Sequence, residues 1–547
     1  QATKDDTVLR ALVDELERSK ANLELEDLER PYFIEYALAD GNRTSISASL
    51  GAVTGRHTNR ARRLRCDVRV ASYKLDNTNF RGEGYGGWFG GFYSETPIPI
   101  EDDYTAIRQA IWWTTDRKYK EVIETFEKKK AFMEAKVIED KPDDFSQETP
   151  TVHFDPPAVL SVPAQPAEDL AITISQVFRE YPDIQKSTVS VEVAARNQYV
   201  INTEGTRLRT ARSHCALSVN ASVQAEDGME LSDSLSAHAL TFEGLPPREE
   251  LLQDCREMIE QLLKVKEAPK LESYTGPVLF DAPAAAAIFA QRFASRFAGG
   301  QRALGSQSEP DDLANKLHKR ILPRFIDVID DPTRAELEGE PVMGHYLYDD
   351  QGVAARPVKL VEKGKLNALL MSRNPSKDFA HSTGHGRGSY RVNTQPGCLI
   401  MTADGGVDEA TLRQELSDAC EDEDLEYGIR VASLGKAGES DGFARFSYGF
   451  DFDDYGGRDR GGTMPLVMYK GFPDGREEAV RGAEFAQINP KAFKRVLAAG
   501  NELYVANKGG AEGRTVATPA LLFEELDLAK IDRDFDKPPV LPSPLAR

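Results

Sequence analysis

The raw material for disulfides and metal sites is scarce in this chain. Its 547 residues include five cysteines, at 66, 215, 255, 398 and 420. The number is odd, the spacings are wide, and there is no Cys-x-x-Cys pair, so neither a disulfide framework nor a zinc knuckle is expected. Buried free thiols are the expected state. Histidine is limited to eight residues, of which only His381 and His385 stand four apart. No window approaches the ~20 apolar residues that cross a bilayer, which excludes a membrane-spanning helix. Basic charge is outnumbered as well: 68 Lys and Arg against 89 Asp and Glu give a net charge of −21, which argues against a nucleic-acid backbone as the main partner. The Gly- and aromatic-rich run Phe80–Phe92 has no Lys-Ser/Thr ending and is not a phosphate loop. It reads as a loop that covers a neighbour.

What is present describes a globular protein, with 40% hydrophobic and 29% charged residues. A chain this long is expected to divide into two or three domains. Helical spacing appears at 5–23, 103–138, 170–181 and 248–264. Strand-like runs appear at 32–38, 44–53 and 64–73, then as a meander through 187–241. The basic segment from Arg56 to Arg65 has no interleaved aromatics, so a solvated hairpin end is expected there rather than a nucleic-acid patch. Residues 139–168, rich in Pro and Asp, read as an extended crossing. A boundary falls after residue 268, with an α+β unit over 1–268 and a β-rich unit over 269–547. A further helix is expected at 489–497, and the proline-rich tail at 538–544 has no core of its own.

The stretch Gly276–Gly300 opens the second unit. A short apolar run ending at Phe280 reads as a buried strand, Asp281 as a cap and Pro283 as a first-turn residue of a helix over 283–298. Phe289, Phe293 and Phe297 recur every four residues on one face. Gln291, Ser295 and Arg296 lie off that stripe, and Gly299–Gly300 end the helix. The polar positions hold no His, Asp, Glu or Cys.

Downstream, the order of motifs carries a resemblance. Val328-Ile-Asp-Asp-Pro-Thr333 is followed by Asp349-Asp-Gln-Gly-Val353 and then by Pro357-Val-Lys-Leu-Val-Glu-Lys-Gly-Lys-Leu366. The run closes with His381-Ser-Thr-Gly-His-Gly-Arg-Gly-Ser-Tyr-Arg391. This succession resembles the TldD/PmbA (TldD/TldE) family of metallopeptidase-associated proteins. The Gln198–Val223 meander, Val480-Arg-Gly-Ala483 and Thr518-Pro-Ala-Leu-Leu522 extend it over most of the chain beyond Leu170. The resemblance implies an α+β, two-domain TldD/PmbA-like architecture, with an α/β sandwich-type N-terminal domain and a mostly antiparallel β C-terminal domain.

In the TldD branch the mid-chain helix carries His-Glu-x-x-x-His, whose histidines hold zinc while the Glu activates its water. A cysteine ligand follows near the C-terminus. Laid onto this sequence, the motif positions are Ala290, Gln291 and Ser295, and Asn507–Gly513 has no cysteine. The resemblance therefore implies a vacated active site, as on the TldE (PmbA) side: no catalytic residue, no metal or other cofactor in this chain, and zinc in a partner subunit. It also implies that Ser382, Thr383, Gly384, His385, Gly386 and Arg387 lie near a bound peptide, with His385 where the family usually has Asn. Peptides or unfolded polypeptides are the implied substrates, held as an added strand.

The function expected is thus a non-catalytic subunit of a TldD/TldE-type zinc metallopeptidase, inactive alone and partnered by a TldD-like subunit or by another copy of itself. The alternatives are a stand-alone binding or structural homo-oligomer and a hydrolase built on Ser382, Ser389 and His385; for the hydrolase no G-x-S-x-G elbow is present. Because the chain begins at Gln1 rather than Met, a periplasmic or secreted location after signal-peptide removal is expected, with a cytoplasmic one as the alternative that the unpaired cysteines favour.

Overall fold

In a computed structural model of the chain, the residues described are 6–24, 28–81, 95–136, 141–159, 164–306, 313–389, 391–435, 465–486, 488–510 and 512–532, together with a few single positions. The aromatic-glycine run lies almost wholly outside them.

The first half forms one seven-stranded sheet with four helices on one face. In chain order these are α1 (Thr7–Asn22), β1 (Pro31–Ser49), β2 (Ala52–Val70), β3 (Thr96–Pro97), α2 (Tyr104–Ala135), β4 (Val152–Phe154), α3 (Ala164–Gln176), β5 (Lys186–Asn202), β6 (Arg207–Gln224), β7 (Glu230–Ala239) and α4 (Arg248–Glu267). The strand order is β3-β2-β1-β5-β6-β4, with β7 also on β6. Asp40-Gly41-Asn42 looks like a break in the sequence, yet β1 is continuous through it. Its backbone there is paired on both sides, Gly41 lying opposite Ala61 of β2 and Arg196 of β5. The arginine-rich stretch is likewise strand, not hairpin end. Arg62 reaches Asp40 at 2.9 Å and Arg65 reaches Glu35 at 2.9 Å, both arginines buried.

Alternation along these strands sends Tyr36, Leu38, Ile46, Val191 and Leu217 to one face. Helices α1 and α2 cover one end of that face and α3 and α4 the other. The residues between them on each strand, such as Ala39, Gly41, Arg43 and Ala194, point to the opposite face. The crossing at 139–168 is more structured than its composition suggests. It holds β4 and the start of α3, and Asp144 is fully buried in an ion pair with Lys129 at 2.6 Å.

Strand β8 (Tyr274–Phe280) leads into α5 (Ala282–Phe293). Then follow β9 (Ile326–Asp330), the short pair β10 (Glu336–Leu337) and β11 (Glu340–Pro341), β12 (Val358–Glu362), β13 (Lys365–Leu366), and the pair β14 (Gly386–Arg387) and β15 (Asn393–Thr394). Next come β16 (Cys398–Ala403), α6 (Glu409–Asp422), β17 (Gly428–Leu434), β18 (Pro465–Gly471), β19 (Glu477–Val480), β20 (Ala483–Phe485), β21 (Val496–Ala499), β22 (Tyr504–Lys508), β23 (Arg514–Thr518) and β24 (Leu521–Lys530). Two larger sheets result, β13-β12-β9-β16-β23-β22 and β19-β18-β17-β8-β24-β20. Most pairings are antiparallel, and the class is α+β. The β12–β13 hairpin turns through Lys363 (φ 47°) and Gly364 (φ 73°), the positive-φ pair that a two-residue turn needs. In place of the expected helix at 489–497 there is one 3₁₀ turn, Ala492–Arg495, before β21.

Candidate functional site

Helix α5 sits on β8, which pairs parallel to β17 and antiparallel to β24. Phe289, Phe293 and Phe297 stack along it as expected and meet Phe493, which in turn meets Phe523 edge-on at 5.1 Å. The helix is shorter than the spacing suggested and ends at Phe293, followed by turns that deliver Gly299 N–H to Leu370 O at 2.7 Å. Asp281 leads the helix without capping it, because its carboxylate is drawn to Arg430 at 2.6 Å.

These details separate the three motif positions. Ala290 is only 4% exposed and belongs to the phenylalanine core, not to a polar face. Gln291 is exposed, and Ser295 lies beyond the helix in the turn. A methyl, an amide and a distant hydroxyl do not make a zinc donor set or a general base. The last cysteine of the chain, Cys420, lies on the buried face of α6, where its sulfur adjoins Gly428. The residues present therefore do not fit the metal that the family motif would hold.

The segment 382–387 is brought together as one compact loop, but its side chains turn inward. His385 has no exposed surface. Its Nε2 lies 3.0 Å from Asp330 Oδ1 and its Nδ1 2.9 Å from Thr383 Oγ1. Thr383 Oγ1 accepts from Met371 N–H at 2.8 Å, and Ser382 Oγ donates to Met371 O at 3.1 Å. Gly384 (φ 74°) runs so close to Ala354 and Ala355 that no side chain fits there. Gly386 N–H donates to Asp349 Oδ2 at 2.8 Å, and Arg387 lies over the Tyr346 ring at 4.1 Å. His381, by contrast, is exposed, with Glu148 the nearest carboxylate at 3.7 Å. The two histidines do not converge. His385 bonds to Thr383 and Asp330 and to neither Ser382 nor Ser389, which removes the geometric basis for the serine-hydrolase alternative.

Electrostatics mark the surroundings of this loop. Asp349 accepts three backbone N–H groups, yet burial still pushes its carboxyl up to about 6. For neighbouring Asp350 burial also raises the pKa, but the Arg387 and Arg196 guanidiniums outweigh it and hold the carboxyl below the usual range. Arg65 donates to Asp350 O at 2.7 Å and to Glu35 at 2.9 Å, which joins β2 of the first sheet to the loop. Burial pushes Glu35 up to about 7 against that arginine. Arg373, 1% exposed side chain, performs a second junction: it donates to Ser146 O at 3.0 Å and to both oxygens of Glu204, and lies 3.8 Å over the Phe145 ring. Sequence reasoning named Arg387 with the loop and placed Arg65 in a hairpin end, but missed Arg196 and Arg373, which no local pattern marks.

Beside the loop, across Glu148, is a cavity of about 370 Å³ lined by Tyr32, Tyr73, Glu148 and Glu204, among others. Glu148 accepts the Ser382 N–H at 2.8 Å.

An α+β chain with a helix-backed sheet, two β-rich sheets and a mid-chain strand–helix defines a recognisable class. Residues 157–264 match the PmbA/TldA metallopeptidase central domain, and residues 273–442 match the PmbA/TldA metallopeptidase C-terminal domain. The chain belongs to the PmbA/TldD metallopeptidase family. A metalloprotease of Methanothermobacter thermautotrophicus is 29% identical over 194 residues, covering 35% of this chain and 39% of that protein. One of Methanocaldococcus jannaschii is 27% identical over 219 residues, covering 39% and 46%. The matched part thus spans less than half of either relative. Among solved structures, TldE from Thermococcus kodakarensis superposes with a TM-score of 0.61 at 13% identity, over 95% of this chain and 100% of that one. A putative modulator of a DNA gyrase from Thermotoga maritima gives 0.63 at 13%, over 95% and 99%. At such identities the likeness is one of fold.

Proposed function

We propose that this chain is a metal-free, TldE-like subunit of a TldD/TldE-type peptidase, in which a zinc-bearing partner performs the chemistry on peptides or unfolded polypeptides. One observation carries the reading. The three positions of the zinc motif hold Ala290, Gln291 and Ser295, and no cysteine follows Cys420. Their placement adds to it, since Ala290 is in the core and Ser295 is beyond the helix. In this role the 382–387 loop does not grip peptide with its side chains. It stiffens the wall against which the substrate is held, through Asp330, Asp349 and Met371. The likeness to the TldE fold supports a paired assembly.

The test is to purify the chain alone and together with a sister chain carrying His-Glu-x-x-x-His, then to measure bound zinc and peptide hydrolysis in each. Zinc and turnover are expected only when the sister is present. One zinc per isolated chain with turnover would sink the reading, and a stable homo-oligomer that ignores the sister would favour a stand-alone role. Restoring Ala290→His, Gln291→Glu and Ser295→His together is expected to leave the isolated chain inactive.

A further inference from the structure

The face of the first sheet away from its helices holds an arrangement that the peptidase reading does not use. Arg196 on β5 and Arg212 on β6 are directly opposite in register, so their side chains leave the same face side by side. Like charges in cross-strand register destabilise a sheet unless an anion lies between them. The carboxylates that act on them, Asp350, Glu512 and Glu95 on Arg196 and Asp350 on Arg212, hold their own ion pairs with other arginines. Glu35 pairs with Arg65 at 2.9 Å, Glu95 with Arg63 at 3.9 Å, Asp350 with Arg387 at 3.5 Å and Glu512 with Arg514 at 4.0 Å. Among the described residues neither Arg196 nor Arg212 comes within ion-pair distance of a carboxylate. Arg196 donates to the Gln198 side chain and Arg212 to Met343 O. The Nε of Arg196 is buried and has no hydrogen-bond partner among the described residues.

Two further features suit a ligand. The sheet beside the pair is floored by small, partly exposed residues, Ala39, Gly41, Ala61 and Ala194, with the stem of Arg196 lying over Gly41. Both arginines also keep part of their surface open to solvent. Their environment strains the positive charge: burial, then Arg387 and Arg196, pull Arg212 down to about 10, and burial lowers Arg196 as well. An arriving anion would relieve that strain.

We propose that Arg196 and Arg212 form an oxoanion site on the face of the first sheet away from its helices, taking a carboxylate or phosphate group between their two planar forks. Guanidinium forks match such groups two bonds at a time. The carboxylate source fitting a peptidase-family chain is the free C-terminus of a peptide, and that assignment alone rests on the proposed function; the oxoanion site does not.

The test uses the full isolated chain, without zinc or partner. Its melting temperature is followed against inorganic phosphate, a short peptide with a free C-terminus and the same peptide amidated, all at constant ionic strength. Binding of an anion to the native state raises the melting temperature in proportion to the logarithm of its concentration. At least one oxoanion is expected to do so. Arg196→Met and Arg212→Met are expected to weaken the response at least tenfold in apparent affinity. Arg43→Met, on the same face but paired with Glu192, is expected to leave it unchanged. Response to the free-terminus peptide but not its amide assigns the site to peptide carboxylates, and response to phosphate alone assigns it to phosphate. Absence of any response, or wild-type response in both methionine variants, overturns the site. Should Arg196→Met fail to fold, Arg212→Lys, which keeps the charge and loses the fork, carries the same comparison. Zinc in the isolated chain would sink the subunit reading while leaving this one standing.

Discussion

At the scale of single residues, His385 shows how a motif position can serve the fold while looking like chemistry. Four residues from His381 in sequence, it could hold a metal only if both side chains shared a face. Instead it is fully buried against Asp330, whose Oδ2 has no partner and whose Oδ1 accepts from Gly397 N–H at 3.1 Å. Removing the imidazole strands a buried carboxylate, which costs more than the lost bond itself. His385→Ala is expected to destabilise the chain by about 3 kcal/mol in urea unfolding at neutral pH, and His385→Asn by less, since an amide retains a donor. Equal losses in the two variants would show that the donated bond is not what matters. The Ser-Thr-Gly and Gly-Arg-Gly flanks made the loop legible in the sequence. The partner 55 residues upstream was not, because nothing local marks Asp330 as its acceptor.

At the scale of elements, α5 and its phenylalanines were legible from period alone, since spacing by four fixes a face whatever the context. Its end was not. Helix propensity would carry the chain on to Gly299, but the backbone leaves the helix after Phe293 so that Phe297 and Gly299 can bond to Leu370. The stripe also recruits Phe493 from a 3₁₀ turn about 200 residues away. Truncating that ring opens a cavity among Phe289, Phe293 and Phe523. Phe493→Ala is therefore expected to cost about 3–5 kcal/mol, read as a lower urea midpoint with an unchanged slope. A loss under 1 kcal/mol would mean that the cluster repacks. Strands β1 and β2 make the complementary point: Asp40-Gly41-Asn42 carries turn chemistry, and pairing on both edges overrides it.

At the scale of the whole molecule, the first sheet and the β-rich half are joined by a few ion pairs. One of them answers to acid. Asp227, in the turn before β7, bonds Lys270 at 2.7 Å and Arg481 at 3.0 Å. Burial opposes ionisation there, but those two cations prevail and draw its carboxyl from 3.8 to about 2. A carboxyl held lower in the folded state than in the unfolded chain lends stability above the unfolded value, and that stability is lost as pH falls from about 4 toward 2. Asp227 keeps 23% of its side chain exposed, so solvent screening leaves on the order of 1 kcal/mol at stake. Asp227→Asn is expected to lower stability at pH 6 by this amount and to converge with the wild type near pH 2. A gap between the two proteins that stays constant across that range would count against the junction.

The sequence by itself determined the family, the α+β class, the phenylalanine stripe and the residue types at 290, 291 and 295, because residue identity and short-range period are local properties. Tertiary structure decided where helix α5 stops, that Ala290 is core, that the 382–387 loop points inward, and that Arg196 faces Arg212 with no carboxylate of the described residues in ion-pair range of either. Each of these depends on which distant backbone or charge lies opposite, and strand register and burial are set only when the whole chain packs.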